Sequence, residues 1–169
     1  MKPDLAVSWP AIYITGTDTG VGKTRVSCAL LRSARAAGID ACGFKPVASG
    51  SRRSTAGLRN ADALALQRAA GTREPYDDIN PYALAPAIAP HLAAAEAGVR
   101  IQRRVLDAAH ARLLRRHAWV VTEGAGGWQV PLGPRWTLAD WVAGHRWPVV
   151  LVVAMRLGCI NRRLKVALI

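Results

Sequence analysis

The first sustained apolar run of the chain, Ala11 to Thr15, carries the β-forming residues Ile12, Tyr13 and Ile14 without a charged interruption, the pattern of a buried strand. Pro3 and Pro10 make the residues before it an irregular lead-in. A glycine-bearing turn, Gly16 to Gly22, then opens a helical stretch from Lys23 to Ala37, rich in Ala, Leu and Arg and stopped by Gly38. Ala41 to Lys45 reads as a second short strand, ended at Lys45-Pro46 because proline cannot continue a central ladder and restricts the residue before it. The polar segment from Val47 to Asn60 reads as a loop, and Asn60 or Asp62 is placed to cap a helix that Gly71 ends.

Prolines at 75, 81, 86 and 90 make the segment from Glu74 to Pro90 a long irregular connection. In a compact domain such a connection is more often functional than accidental, so it is expected to line a site. A helix from Val105 to Arg116 precedes an apolar strand, Trp119 to Thr122, which delivers Glu123 and the glycines Gly124, Gly126 and Gly127. Thr137 to Ala143 predicts a short helix, Pro148 to Ala154 the most β-like run, and Asn161 the start of a last helix. Strands alternating with helices predict the α/β class, with a mainly parallel sheet covered by helices on both faces. No internal repeat or linker interrupts the pattern.

Length and composition narrow this picture. At 169 residues the chain fits one α/β domain and excludes a second large one. The net charge of +12 invites a nucleic-acid reading. The arginines, however, stand singly or in pairs (Arg52, Arg53, Arg103, Arg104, Arg115, Arg116, Arg162, Arg163), and no basic run has interleaved aromatics. The charge therefore reads as a solvated, arginine-rich surface with no nucleic-acid partner expected. Cys28, Cys42 and Cys159 form no CxxC pair and have no histidine at metal spacing, which argues against disulfides and zinc and for a reducing cytoplasm. No apolar stretch reaches the length of a membrane span, so no membrane association is expected.

The sharpest motif is Gly16-Thr-Asp-Thr-Gly-Val-Gly22-Lys23-Thr24, between a strand and a helix. It has five residues between Gly16 and Gly22, one more than the standard phosphate loop. The physics survives the change: glycines let backbone N–H groups curl around phosphate oxygens, the helix N-terminus favours anions, and Lys23 reaches the outer phosphates. Thr24 is placed to offer its hydroxyl to Mg²⁺. Glycine-rich turns are common, but Gly-Lys-Thr in this setting is far rarer, and the motif reads as a nucleotide site.

Phosphoryl transfer needs a carboxylate to hold the metal beside the loop hydroxyl. Glu123, at a strand end before glycines, is the best candidate. Asp62 taken alone is weaker, because an acid near a helix start is more often a cap than a ligand. Lys45 closes a strand where ligands bind in open α/β sheets, and can be either a ligand cation or a solvated lysine.

Taken together, five motifs resemble dethiobiotin synthetases: the loop Gly16 to Thr24, Gly43-Phe-Lys-Pro-Val-Ala-Ser-Gly50, Leu58-Arg-Asn-Ala-Asp62, Glu123-Gly-Ala-Gly-Gly127 and Leu157-Gly-Cys-Ile-Asn161. They stand in the family's order and cover nearly the whole chain, and Lys45-Pro-Val-Ala-Ser-Gly50 is the most discriminating. The resemblance implies a P-loop NTPase-type three-layer fold. It implies an enzyme that takes 7,8-diaminononanoate, CO₂ and ATP, with Mg²⁺, to dethiobiotin, ADP and phosphate through a carbamate and its mixed anhydride with phosphate.

By the same resemblance Lys23 and Lys45 lie by the carbamate and the transferring phosphoryl group, and Thr24, Asp62 and Glu123 hold the metal. Gly20, Val21, Gly22, Lys23, Thr24 and Arg25 wrap the phosphates, Gly124, Ala125 and Gly126 line the nucleotide site, and Thr19 and Ser49 touch the diamine or its carbamate. The family is a homodimer in which Gly158, Cys159 and Asn161 of the partner chain receive the substrate carboxylate, so Cys159 is expected to position rather than attack. His91 has no assigned role, and Trp128 is expected to pack.

Family members continue through further strands and helices, including the segment that reads adenine. Here Arg162-Arg163-Leu-Lys165 follows Asn161 and the sequence stops at Ile169. The expectation is a fold without its C-terminal elements, with an exposed sheet edge. Alternative readings are a remnant that only binds Mg-nucleotide, another P-loop amide-forming ligase, and a partitioning-type ATPase. The last requires a lysine where this chain has Asp18.

Overall fold

The structure, a computed structural model, describes residues 9–155 together with Leu157 and Cys159. Strand β1 spans Ala11–Gly16 and helix α1 spans Lys23–Ala36. Between them Gly22 caps α1 in the left-handed region at φ 105°. Strand β2 follows at Ala41–Phe44, buried along its length.

The segment after β2 is more ordered than its polar sequence suggests. It holds β3 (Val47–Ala48), β4 (Arg52–Ser54) and β5 (Gly57–Arg59), the last two forming an antiparallel hairpin. Pairs this short, with β4 fully exposed, leave no alternation of apolar and polar positions to read. Asn60 caps α2 (Ala61–Ala70), its Oδ1 accepting from the backbone N–H of Asp62 at 3.0 Å and of Ala63 at 3.4 Å. Gly71, at φ 70°, ends the helix as expected.

The proline-rich connection holds a short helix α3 (Tyr76–Ile79) and strand β6 (Tyr82–Ala83), which pairs with β3. Pro90 does not end the connection as a breaker. It opens helix α4 (Pro90–Glu96) from the first helical position, where a missing N–H costs nothing. Helix α5 (Arg103–Arg116) leads to β7 (Trp119–Glu123), so Glu123 is the strand's last residue. A second unforeseen hairpin, β8 (Pro131–Gly133) with β9 (Trp136–Thr137), precedes α6 (Leu138–His145). A reciprocal Thr137–Asp140 capping box starts α6. Strand β10 is Val149–Val152. The helix expected from Asn161 lies outside the described residues.

The central sheet has four strands in the order β10-β1-β7-β2, and each pairing is parallel. Alternation along the strands divides the core into two layers. Ile12, Ile14 and Val121 pack with Cys28 and Leu31 of α1 and Leu66 of α2. Ala11, Tyr13 and Val120 pack on the other face with Leu106 and Leu113 of α5 and Trp141 of α6. The result is a three-layer α/β fold. Its register sets Ile14 against Glu123 and Phe44 against Thr122, which brings the carboxyl ends of β1, β7 and β2 to one edge.

Candidate functional site

The first wall of the site is the loop between β1 and α1. Gly20, at φ 76°, and Gly22 adopt backbone conformations that side chains disfavour, although a Cβ at either would meet nothing within 4 Å. Glycine is needed there for conformation alone. Lys23 turns back across the loop, its Nζ donating to the Asp18 carbonyl at 2.8 Å, and is only 7% exposed. Burial, and then the nearby positive charge of Lys45, pull its pKa below the ordinary lysine value; Glu123, Asp62 and Asp18 oppose this.

The second wall is made of side chains from distant parts of the chain. Lys45, just past β2, donates from Nζ to Glu123 Oε1 at 2.7 Å, to Asp62 Oδ2 at 3.2 Å and to the Gly124 carbonyl at 3.1 Å. Thr24, from the first turn of α1, donates its hydroxyl to the same Glu123 Oε1 at 2.9 Å. Lys45 and Glu123 are 3% and 0% exposed, so the pair is a buried one that depends on all its partners. Gly124 has no room for a side chain, because a Cβ would collide with the Tyr13 hydroxyl. Tyr13 stays neutral: burial, and then Glu123, raise its pKa.

Glu123 Oε2 is buried and has no hydrogen-bond partner. A buried carboxylate oxygen left unpaired is costly, and a cation would satisfy it. The Thr24 hydroxyl and the Asp62 and Glu123 carboxylates form an all-oxygen set that suits Mg²⁺, which takes one or two carboxylates and completes its shell with phosphate oxygens and water. Among the described residues no group of three or more His, Cys, Asp or Glu side chains could hold a metal by itself.

Between the walls lies a cavity of about 760 Å³. Thr19, Gly20, Gly22, Lys23, Thr24 and Arg25 line one side; Lys45, Ser49, Asn60 and Asp62 line the other, with Ala125 and Gly126. Ala87 to Pro90 close it, so the proline-rich connection does line the cavity. Ser49 Oγ is buried there without a partner. Glu123 and Gly124 support Lys45 without joining the lining.

Two residues placed by sequence fall elsewhere. Val21 and Cys159 line a smaller pocket of about 90 Å³ with Thr17, Asp18 and Leu157, which meets the main cavity at Thr19 and Gly20. Gly158 and Asn161 lie outside the described residues. Trp128 packs edge-on against Tyr13 at 5.9 Å, as expected of a packing residue. His91 is not part of the cavity wall, and its Nδ1 is buried without a partner. Asn60 carries in the sequence only the signal of a helix cap, and Ala87 to Pro90 only that of the proline-rich connection.

A parallel sheet that carries a glycine loop followed by Lys-Thr on its first helix, with an acid at the end of the adjoining strand, defines a protein of the P-loop NTPase class. The AAA domain family AAA_26 matches residues 10–167. The Salmonella typhi protein named ATP-dependent dethiobiotin synthetase BioD 1 is 51% identical over 156 residues, which cover 92% of this chain and 68% of that protein. The Escherichia coli protein of the same name is 49% identical over 155 residues, 92% and 69% of the two chains. The Xanthomonas oryzae pv. oryzae protein named ATP-dependent dethiobiotin synthetase BioD is 52% identical over 152 residues, 90% and 68%. The chain belongs to the dethiobiotin synthetase family. Among the described residues no helix is long and apolar enough to cross a membrane.

Proposed function

We propose that this chain is an ATP-dependent dethiobiotin synthetase, which carboxylates 7,8-diaminononanoate with CO₂ and closes the ureido ring to give dethiobiotin, ADP and phosphate. The observation that carries this reading is the buried Lys45 ammonium at the cavity wall, held by Glu123, Asp62 and Gly124 within electrostatic reach of Lys23. In this reading one amine of the substrate adds to CO₂ and loses a proton, leaving a carbamate anion. A carbamate oxygen attacks the γ-phosphoryl group and ADP leaves. The second amine attacks the carbonyl of the mixed anhydride, and phosphate departs as the ring closes.

Negative charge builds first on the carbamate and then on the transferring phosphoryl oxygens. Lys23 and Lys45 act as fixed cations for both, the kind of stabilisation that works best in a buried site. Thr24, Asp62 and Glu123 would hold Mg²⁺, which when bound neutralises phosphate oxygens and aligns the transferring group. Backbone groups from Gly20 to Arg25 embrace the phosphates, with Gly124, Ala125 and Gly126 beside them. The Thr19 and Ser49 hydroxyls meet the diamine or its carbamate, a role supported by the unpaired state of Ser49 Oγ. In a homodimer, Gly158, Cys159 and Asn161 would serve the partner's site; Cys159 does not line the main cavity of its own chain. A cytoplasmic location completes the reading.

The test is phosphate release by the purified protein with Mg-ATP and bicarbonate, with and without 7,8-diaminononanoate, and with the product identified by mass. Release stimulated by the diamine, with dethiobiotin formed, is the expected result. Folded protein that binds nucleotide but makes no dethiobiotin would overturn the reading.

A further inference from the structure

Lys45 stands just beyond β2, which ends at Phe44, and Pro46 after it has no N–H to give. Its own backbone groups must therefore be satisfied away from the sheet. The N–H donates to the Ile79 carbonyl at 2.8 Å. The carbonyl accepts from Asn80 Nδ2 at 2.7 Å.

Asn80 is 2% exposed and every polar atom of its side chain is used. Its second amide hydrogen goes to the Tyr82 carbonyl at 3.3 Å, and Oδ1 accepts from the Tyr76 hydroxyl at 2.9 Å. The Tyr76 oxygen in turn accepts from the Asn60 backbone N–H at 2.6 Å, while the Arg59 guanidinium covers the Tyr76 ring at 4.1 Å. Asn60, 6% exposed, caps α2 through the N–H of Asp62 and donates from Nδ2 to the Ser49 carbonyl at 3.2 Å. Asp62 Oδ2 then meets Lys45 Nζ at 3.2 Å and closes the ring.

We infer that Asn80, Tyr76 and Asn60 are positioning residues that set Lys45, Asp62 and Ser49 relative to one another as one unit. The inference rests on the proposed role of Lys45. The circuit runs from the lysine's backbone through an amide, a phenol and a helix cap to the carboxylate that holds the lysine's own ammonium. Opening it at Tyr76 or Asn80 leaves Lys45 and Asp62 joined by their own ion pair, without the second path that fixes the start of α2 against the end of β2. Displacements of about 1 Å at a reacting group cost on the order of a hundredfold in rate. No hydrogen bond of the circuit touches the loop between β1 and α1, so the loop's own phosphate contacts survive its opening.

The experiment compares Tyr76→Phe, Asn80→Ala and Lys45→Ala with the unaltered chain. It measures kcat and KM for the diamine, the Kd of a non-hydrolysable Mg-ATP analogue, and thermal unfolding. Tyr76→Phe keeps the ring under Arg59 and removes only the hydroxyl, so it is the variant least prone to misfold. Tyr76→Phe and Asn80→Ala should each lower kcat about tenfold or more, with the analogue's Kd changed far less than kcat because the loop's phosphate contacts are kept. Unchanged kcat in folded Tyr76→Phe and Asn80→Ala, beside an inactive Lys45→Ala, would overturn the inference and leave the proposed function standing. Equal losses in kcat and nucleotide affinity would mark a merely structural role and also overturn it. Turnover retained by Lys45→Ala, or absent from the unaltered chain, would remove the underlying reading and the inference with it.

Discussion

The two walls of the cavity are built by opposite means. The wall formed by the loop comes from one short stretch of chain, Thr19, Gly20 and Gly22 to Arg25, and its shape comes from backbone: Gly20 and Gly22 take conformations closed to most residues, and the first turn of α1 follows at once. The wall formed by Lys45 and Asp62, with Glu123 behind Lys45, is assembled from three distant parts of the chain, and its shape comes from side chains that hold one another in a charged cluster. A backbone-built wall presents donors to any phosphate, whereas a cluster of paired charges has a definite geometry for the reacting groups. Binding and chemistry are thus separable here, and substitutions can pull them apart.

The largest separation is expected from Lys45→Ala. Removing one fixed cation from a buried site where charge develops costs about 10²–10³ in rate. Product formation should fall to background by mass analysis, while the Kd of an Mg-ATP analogue changes far less than the rate, since the loop's phosphate contacts remain. Strong loss of nucleotide binding in a folded variant would show that the two walls do not act separately.

Gly22→Ala tests the other wall. The new methyl group has open space around it, so its only effect is to force a non-glycine residue to φ 105°. Such strain costs of order 1–3 kcal/mol, and the free loop relieves it by leaving the phosphate-ready conformation that nucleotide must then restore. Analogue affinity should fall by about tenfold or more, as titration would read it, and at saturating nucleotide kcat should stay near that of the unaltered chain. A fall in kcat with affinity preserved would reverse the assignment of the walls.

The same contrast explains what could be read from the sequence. β1, the loop and α1 were legible nearly to the residue because the signals are local: a β-branched run, positive-φ glycines and a Gly-Lys-Thr start. Glu123 was legible as an acid at a strand end, but its shared contact with Thr24 and Lys45 depends on the β1–β7 register. The two short hairpins were missed because two- and three-residue strands carry no period, and α4 because Pro90 was read as an end rather than a start. Asn80 gave no signal, since one asparagine among prolines becomes informative only when the fold sets it under Lys45.

The smallest effect expected is a gain in stability from damaging the site, and it concerns the one cation the loop wall contributes to the cluster. The pKa of Lys23 is lower in the folded chain than the ordinary lysine value of 10.5, mainly through burial and then through Lys45. The unfolded chain therefore binds this proton more tightly than the folded one, and stability rises with pH across the interval between the two values. The contribution is complete above pH 10.5 and is lost as pH falls through the depressed folded value, so at neutral pH the charged lysine weighs against the fold. Lys23→Met keeps most of the buried stem and removes the charge. Without nucleotide at pH 7, its Tm should be higher than that of the unaltered chain. The difference should shrink in strongly alkaline buffer, where the lysine is neutral, and reverse at pH 7 with saturating Mg-ATP analogue, which the lysine helps to hold. A lower Tm for the variant at pH 7 without nucleotide would mean that the Lys23–Asp18 hydrogen bond outweighs the burial of the charge, and that the loop wall is built by its side chain as well as its backbone.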